Sequence, residues 1–205
     1  MEYLGTNEIG YDPKSLGFPS VKTCQAIVYG TNAGLFGYHD AFGSLKQLKQ
    51  KADVFVQFVQ AESMNHAAFK SRFLIGIIVK KERWDPSMDA DWLEELSTLA
   101  EKLHYTGGIW GARITDHMED AQGHAAYIRV DASGIFEPRC KVRFKRQSKM
   151  EDYGGVLPPT ANRRLLEVAD GGGYEAKAPR DIKKVRRIGK LDEGNLVSLS
   201  LRKLN

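Results

Sequence analysis

Residues Val21 to Phe42 read V-K-T-C-Q-A-I-V-Y-G-T-N-A-G-L-F-G-Y-H-D-A-F. This stretch predicts a β-hairpin, because two apolar runs flank a turn that is rich in Gly and Asn, the residues that tight turns favour. The first run is Cys24 to Tyr29 and the second is Leu35 to His39. One cysteine and one histidine are thereby placed on neighbouring strands.

The length of the turn decides how Cys24 and His39 are related. A two-residue loop at Thr31-Asn32 sets them directly opposite each other. The pairing shifts by two positions if the loop has four residues, from Thr31 to Gly34, or two residues at Asn32-Ala33. In all three cases the side chains of Cys24 and His39 project from one face of the sheet. Directly opposed Cβ atoms lie ~4.5–5.5 Å apart and diagonal ones ~7–8 Å. A three-residue loop or a bulge would instead separate the two side chains onto opposite faces.

A thiol and an imidazole on one face are the minimum equipment for acyl transfer by a cysteine. As general base or as imidazolium, histidine lowers the pKa of the thiol and produces a thiolate nucleophile. The competing interpretation is structural, because a free cysteine is usually a small buried hydrophobe. Cys24 and His39 are therefore the candidate catalytic pair, with a purely structural Cys24 as the alternative.

The composition predicts one sizeable domain, or one domain with an appendage. The chain has 205 residues, of which 42% are hydrophobic, and it contains no apolar run long enough for a membrane span. Its N-terminus lacks the basic and apolar regions of a secretory signal. The two cysteines, Cys24 and Cys140, are too few for a disulfide scaffold and match no zinc spacing. We expect a soluble protein without membrane contact that is cytoplasmic as made, with export by a signal-less route left open.

Positive charge is concentrated in the C-terminal third. The net charge of +4 divides into +8 for residues 141–205, which hold 16 Lys and Arg against 8 Asp and Glu, and −4 for residues 1–140. Residues 148–205 read as a basic extension with a basic run from Lys177 to Lys190 and a possible final strand from Leu196 to Leu201. Few aromatic residues interleave with these charges, so nucleic-acid binding is not expected. An acidic partner is the expected ligand of this basic region.

The remainder of the chain predicts an α/β (α+β) domain over residues 17–147, in which helices pack on a layered, mixed β-sheet. Residues 1–16 have little periodicity and several breakers, which favours an irregular N-terminal arm. Helical spacing predicts two amphipathic helices, at Ser44–Glu62 and Asp89–His104. The β patterns predict strands at Ser71–Lys80 and Ile109–Ile114 and a hairpin made of Ala125–Val130 and Ile135–Phe144.

Three motifs stand at characteristic places along this order of elements: Thr23-Cys24 with Ala26-Ile27-Val28, Gly37-Tyr38-His39, and Gly123-His124 followed by Ala126 to Asp131 and Gly134. Together with the order of elements, they resemble the CheD family of chemoreceptor glutamine deamidases over residues 17–147. The same fold and the same cysteine–histidine pair occur in the catalytic domains of cytotoxic necrotizing factor toxins.

The resemblance implies a deamidase-like sandwich and a role for each member of the pair. Cys24 would be the nucleophile and His39 its activator, converting a glutamine side chain of a partner protein to glutamate with release of ammonia. Members of the family often have a polar residue, commonly Thr, six positions before the cysteine, where this chain has Phe18. Ser20, Thr23 or a backbone carbonyl is then expected to take the place of that polar residue as the third catalytic group. Ser20 and Thr23 are also candidates for stabilising the oxyanion.

The sequence thus predicts a cysteine-dependent protein-glutamine deamidase, either a bacterial effector or toxin or a chemoreceptor-type modifier, that needs no cofactor. Attack of an amine on the same thioester would give transglutamination. No metal site is expected, because the other histidines form no ligand spacing: His66, His104, His117 and His124. The alternative is a catalytically silent interaction module on the same fold, which docks an acidic partner through its basic extension.

Overall fold

The computed structural model describes residues 1–41, 45–64, 70–79, 87–117, 125–133, 138–147, 166–168, 174–176 and 194–205. The strands in these ranges are β1 (Glu2–Tyr3), β2 (Glu8–Asp12), β3 (Ser15–Val21), β4 (Cys24–Thr31), β5 (Leu35–Ala41), β6 (Ser71–Ile78), β7 (Ile109–Arg113), β8 (Ala125–Asp131), β9 (Lys141–Gln147), β10 (Leu166–Val168), β11 (Tyr174–Ala176), β12 (Val197–Ser198) and β13 (Arg202–Lys203). The helices are α1 (Leu45–Ser63), α2 (Ser87–Lys102) and the 3-10 helix η1 (Ile114–His117).

The described strands form two mixed sheets. The outer sheet has five strands in the order β1-β3-β8-β9-β12, and the central sheet has eight in the order β11-β10-β2-β5-β4-β6-β7-β13. The pairs β1/β3 and β6/β7 are parallel. The other pairs, including those that hold the β4–β5 hairpin in place, are antiparallel.

Hydrophobic side chains pack on both faces of the central sheet. Between the two sheets lies a cluster that includes Leu16, Phe18, Val28, Ile75, Ile128 and Phe144. Between the central sheet and the two α-helices lies a second cluster that includes Ile27, Tyr38, Phe55, Leu74, Trp92 and Leu96. The molecule therefore has three layers, namely the outer sheet, the central sheet and the helices, which confirms the predicted layered α+β class.

The β4–β5 hairpin has the register of the four-residue loop. Gly30 pairs with Leu35, Ala26 with His39 and Cys24 with Ala41. Thr31 to Gly34 form the turn, closed by the N–H of Thr31, which donates to the carbonyl oxygen of Gly34 at 2.8 Å. Cys24 and His39 are thus diagonal neighbours on one face, as the even loop length predicted.

The other central elements also lie where the pattern placed them. The two predicted helices correspond to α1 and α2, and the two predicted inner strands to β6 and β7. The second hairpin pairs β8 with β9 as expected. Its second strand begins at Lys141, later than the predicted Ile135; Pro138, which has no N–H to donate to a ladder, stands before it, and residues 134–137 lie outside the described residues.

The expectation of an irregular arm over residues 1–16 is wrong. β1 pairs with β3, β2 pairs with β5, and β3 itself begins at Ser15. Gly10 and Gly17 lie within β2 and β3 and do not interrupt them. At Gly17 a Cβ atom would lie 2.7 Å from the ring of Tyr3, so this glycine is required by close packing of two strands and not by a turn.

The prediction of a single strand over Leu196–Leu201 is also wrong, because two short strands are present instead. β12 pairs with β9 in the outer sheet, and β13 pairs with β7 in the central sheet. Between them Leu199 is only 6% exposed and packs in the cluster between the sheets. The segment therefore passes from the edge of one sheet to the edge of the other. The basic run Lys177–Lys190 lies outside the described residues.

Neither of the described α-helices combines the length and the apolar character needed to cross a bilayer.

Candidate active site

Cys24 and His39 face the space between the two sheets. Cys24, Ala26 and Val28 alternate on one face of β4 and belong to the cluster in that space. Because Ala26 is the register partner of His39, the imidazole projects from the same face. The pair therefore lies near one end of the sandwich interior, where β3 leaves the outer sheet and β4 enters the central one.

The imidazole of His39 is fully buried and held in one tautomer. Its Nδ1 lies 2.9 Å from the carbonyl oxygen of Leu4. Since a carbonyl oxygen can only accept, Nδ1 carries the proton and Nε2 has a free lone pair. Nε2 is buried and has no hydrogen-bond partner among the described residues.

Burial keeps this ring neutral. Desolvation lowers the pKa of His39 from 6.5 to about 4, although the hydrogen bond to Leu4 and the charge of Glu8 oppose the shift. At neutral pH the group is therefore an uncharged base whose Nε2 is available for a proton.

Cys24 is 9% exposed, and three hydrogen-bonding groups lie close to its thiol. Hydroxyl groups of Thr6 and Thr23 and the backbone of Lys22 form hydrogen bonds with it. These bonds lower its pKa, but desolvation is the larger effect and the charge of Asp40 adds to it, so the pKa lies above the ordinary value. The prediction that His39 lowers the pKa of the thiol is wrong for the resting protein, in which both members of the pair are neutral.

The groups predicted to act as the third catalytic group occupy different places around the pair. The backbone carbonyl of Leu4 orients the imidazole, which is one of the predicted possibilities. Thr23 contacts the thiol and not the imidazole in the described contacts. Phe18, at the position where the family often has a polar residue, packs its ring edge-on against His39 with centroids 6.2 Å apart.

Ser20 is the remaining candidate, and it has an unusual backbone. Its φ is +60°, a region that non-glycine residues rarely occupy, and the β3–β8 register shifts between Phe18 and Val21. Its N–H donates to the side-chain oxygen of Gln147, while its hydroxyl is buried without a partner among the described residues. Such local strain is typical of functional sites, but the contact described for Ser20 is to Gln147 and not to Cys24 or His39.

Sequence reasoning missed the N-terminal turn that covers the pair. The N–H of Glu8 donates to Gly5 O at 3.0 Å, and the N–H of Gly5 donates to the Glu8 carboxylate at 2.6 Å. From this turn the hydroxyl of Thr6 reaches Cys24, and the N–H of Asn7 donates to the carbonyl oxygen of His39 at 2.7 Å. Gly5-Thr6-Asn7 is a turn signal between two short β patterns, and it could have been recognised as a connection between two strands.

On the opposite face of the hairpin, a buried polar network fixes the strand ends. The side-chain oxygen of Gln25 accepts from the indole N–H of Trp92 at 2.6 Å, and its amide nitrogen donates to Glu95 at 3.3 Å. Asp40 is the register partner of Gln25 and accepts from the hydroxyl of Tyr38 at 2.8 Å. Gln25 follows Cys24 and Asp40 follows His39, so the network anchors the residues adjacent to both members of the pair.

The other predicted or excluded site residues lie elsewhere. Cys140 is half-buried against the cluster between the sheets, and burial raises its pKa to about 12, which makes it a poor nucleophile. Among the described residues no group of three or more His, Cys, Asp and Glu side chains is arranged to hold a metal ion. His66 and His124 lie outside the described residues.

In comparisons with known proteins, no protein-family model matches the chain, and no curated protein matches it.

Proposed function

We propose that the chain is a cysteine-dependent protein-glutamine deamidase, with Cys24 as nucleophile and His39 as acid and base. One observation carries the proposal: a fully buried, neutral imidazole is fixed by Leu4 with its Nε2 unoccupied, on the same sheet face as a buried thiol. Diagonal neighbours on a sheet face lie ~7–8 Å apart, and Nε2 of His39 has no hydrogen-bond partner among the described residues, so the thiol of Cys24 has to move toward the imidazole before a proton can pass between them. Burial of an unpaired ring nitrogen is costly unless the site uses it.

The pKa directions place both groups in their neutral forms at rest, so the mechanism starts from a thiol and a neutral imidazole, and the transfer of the proton has to be coupled to attack on the substrate. As the sulfur of Cys24 attacks the carboxamide carbon, its proton passes to Nε2 of His39. The resulting imidazolium returns a proton to the amide nitrogen, the carbon–nitrogen bond breaks, and ammonia leaves behind a thioester. Nε2 then deprotonates a water molecule that attacks the thioester, which releases glutamate and restores the thiol. The overall reaction consumes one water and produces one ammonia, and no cofactor is required.

The hydrogen bonds around the thiol have a defined use in this scheme. Donation from Thr6, Thr23 and the backbone of Lys22 stabilises negative charge on sulfur, which offsets part of the desolvation at the moment of attack. The tetrahedral intermediate also needs donors for its oxyanion. Ser20 is the described side chain best suited to that role, because its buried hydroxyl has no other partner among the described residues.

The substrate in this proposal is a glutamine of another protein, and the excess of Lys and Arg in residues 141–205 favours an acidic partner. A bacterial effector or toxin and a chemoreceptor-type modifier both fit that description. Two unpaired cysteines fit a reducing compartment such as the cytoplasm. An amine that reaches the thioester before water would give transglutamination from the same site.

The second candidate function is a catalytically silent interaction module. The near-complete burial of Cys24 and His39 favours it, because a closed interior also accommodates a structural cysteine beside a satisfied backbone contact.

The test is incubation of the wild-type protein, Cys24→Ser and Cys140→Ser with cell lysate, followed by mass spectrometry of glutamine-to-glutamate conversion and of lysine-linked products. The proposal expects conversion by the wild type and by Cys140→Ser and almost none by Cys24→Ser, because a serine hydroxyl is far less acidic than a thiol. Identical spectra for the wild type and Cys24→Ser would favour the interaction module.

A further inference from the structure

Two buried hydrogen-bond acceptors near the candidate pair have no donor. One is Nε2 of His39, and the other is the side-chain oxygen Oδ1 of Asn7; neither has a partner among the described residues. The two residues are joined by a backbone hydrogen bond, in which the N–H of Asn7 donates to the carbonyl oxygen of His39 at 2.7 Å. The two acceptors therefore belong to residues in direct contact, and Thr6, the residue before Asn7, contacts the thiol of Cys24.

The backbone of Asn7 is held in place by the turn. Its φ is +64°, in the left-handed region that Asn and Gly tolerate better than other residues. Its backbone N–H is committed to His39, and it belongs to the turn closed between Gly5 and Glu8. A buried acceptor that lacks a donor destabilises a folded protein, and a ligand that supplies the donor would relieve that cost.

We propose that Oδ1 of Asn7 accepts a hydrogen bond from the N–H of the substrate carboxamide and makes the site selective for a primary amide. This inference rests on the proposed function and names the residue that recognises the nitrogen. Of the two unoccupied acceptors, Nε2 of His39 takes the thiol proton of Cys24, and Oδ1 takes one of the two N–H groups that a glutamine side chain offers.

The same contact distinguishes substrate from product. A glutamine carboxamide has two N–H donors, whereas the glutamate carboxylate has none. In the product complex Oδ1 would face a negatively charged oxygen, and both acceptors would lack a donor. Sites built to bond an N–H group discriminate strongly against analogues that lack it, because the polar group of the protein is then left unpaired. The product is therefore bound more weakly than the substrate, which favours its release.

The test compares two probes on the full chain: a glutamine peptide taken from a protein that the lysate experiment shows to be modified, and the same peptide with glutamate γ-methyl ester in place of glutamine. Thiolate attack on the ester also gives a thioester, with methanol as leaving group, but the ester offers no N–H. The key variant is Asn7→Gly, because glycine keeps the positive φ and the backbone N–H and removes only the side chain.

For Asn7→Gly we expect kcat/KM on the glutamine peptide to fall by about tenfold or more, the effect of losing a hydrogen bond of ordinary strength, and kcat/KM on the ester to change less than about threefold. Asn7→Asp retains an acceptor and should recover most of the activity on glutamine. Asn195→Gly is the matched control, because Asn195 has a nearly identical φ of +61° in the C-terminal segment, and it should leave both rates unchanged.

An equal loss on the two probes in Asn7→Gly, or no loss on either, overturns the role of Asn7 while leaving the proposed function intact. A wild-type protein that converts neither probe overturns the proposed function and this inference with it. If Asn7→Gly fails to fold, Asn7→Asp decides, since an Asn7→Asp protein that folds normally but loses the preference for amide over ester also contradicts the role.

Discussion

The Nδ1 atom of His39 donates its proton to the carbonyl oxygen of Leu4 across 2.9 Å. This contact fixes the tautomer, leaves Nε2 as a lone-pair base, and makes the N-terminal segment part of the site. A backbone carbonyl serves this purpose as well as a side chain does, because it is rigidly placed by the parallel pairing of β1 with β3. Phe18, six positions before the cysteine, packs its ring edge-on against the imidazole.

The first prediction concerns the ionisation of the nucleophile. Because desolvation raises the pKa of Cys24, iodoacetamide alkylation of the resting protein should be slow at neutral pH and should increase with a midpoint above that of a model thiol. The measurement uses Cys140→Ser, in which Cys24 is the remaining thiol. A midpoint below the ordinary thiol value would show that a thiolate–imidazolium pair exists before substrate binds.

Thr6 provides a second prediction, because it is an exposed residue whose hydroxyl reaches a buried thiol. Its hydrogen bond lowers the pKa of Cys24, so Thr6→Ala should raise that pKa further and slow both alkylation and turnover. Thr6→Ser keeps the hydroxyl and is the matched control. Equal alkylation profiles for Thr6→Ala and the wild type would remove Thr6 from the site.

The third prediction is a pH dependence of stability that arises from His39. Its folded-state pKa is about 4 and its ordinary value is 6.5, so between these values the unfolded chain binds a proton that the folded protein does not. The free energy of unfolding should therefore fall as the pH decreases from about 7 to about 4, with a contribution from this group on the order of 3 kcal/mol. Urea unfolding at several pH values measures it.

In His39→Gln this part of the pH dependence should disappear. His104→Asn is the control, because His104 is exposed and lies at a positive φ that Asn tolerates. A pH slope that persists unchanged in His39→Gln would assign the acid sensitivity to other groups.

The fourth prediction concerns the buried polar network on the opposite face of the hairpin. Trp92→Phe removes the indole N–H that donates a hydrogen bond to the side-chain oxygen of Gln25, and both residues are buried. The amide oxygen is then left without this donor, which should reduce the free energy of unfolding by about 1–3 kcal/mol. Because Gln25 adjoins Cys24, turnover should also decrease. A variant as stable as the wild type would mean that the amide finds another donor.

The fifth prediction compares two residues of the C-terminal segment. Leu199 is 6% exposed and Val197 is 56% exposed, so Leu199→Ala should cost about 2–5 kcal/mol of stability and Val197→Ala no more than about 0.5 kcal/mol. Chemical denaturation measures both. Equal effects would contradict the placement of this segment between the edges of the two sheets.

Local patterns were sufficient for the helices, the inner strands and the relation between Cys24 and His39. Each depends on a period within one element, or on a turn whose length fixes the register of its two strands. The β4–β5 hairpin is the best case, since both members of the candidate pair lie on it and the even loop length alone places them on one face.

The rest depends on contacts between distant parts of the chain. Nothing in the pattern around Leu4 indicates that its carbonyl meets His39, and Gly17 reads as a breaker until Tyr3 is packed against it. The pKa of Cys24 was also beyond reach, because its direction is set by burial between two sheets. A histidine neighbour alone suggested the opposite sign.

Capture of the acyl-enzyme tests most directly whether Cys24 is the nucleophile. The wild-type protein is mixed with the glutamine peptide, quenched in acid within one turnover, and examined by intact-mass and peptide mass spectrometry. We expect an adduct on Cys24 with the mass of the peptide less one ammonia. The adduct should disappear on further incubation as the glutamate peptide accumulates, and it should fail to form in His39→Gln. Conversion of glutamine without any adduct, or an adduct on Cys140, would contradict the role of Cys24 as nucleophile.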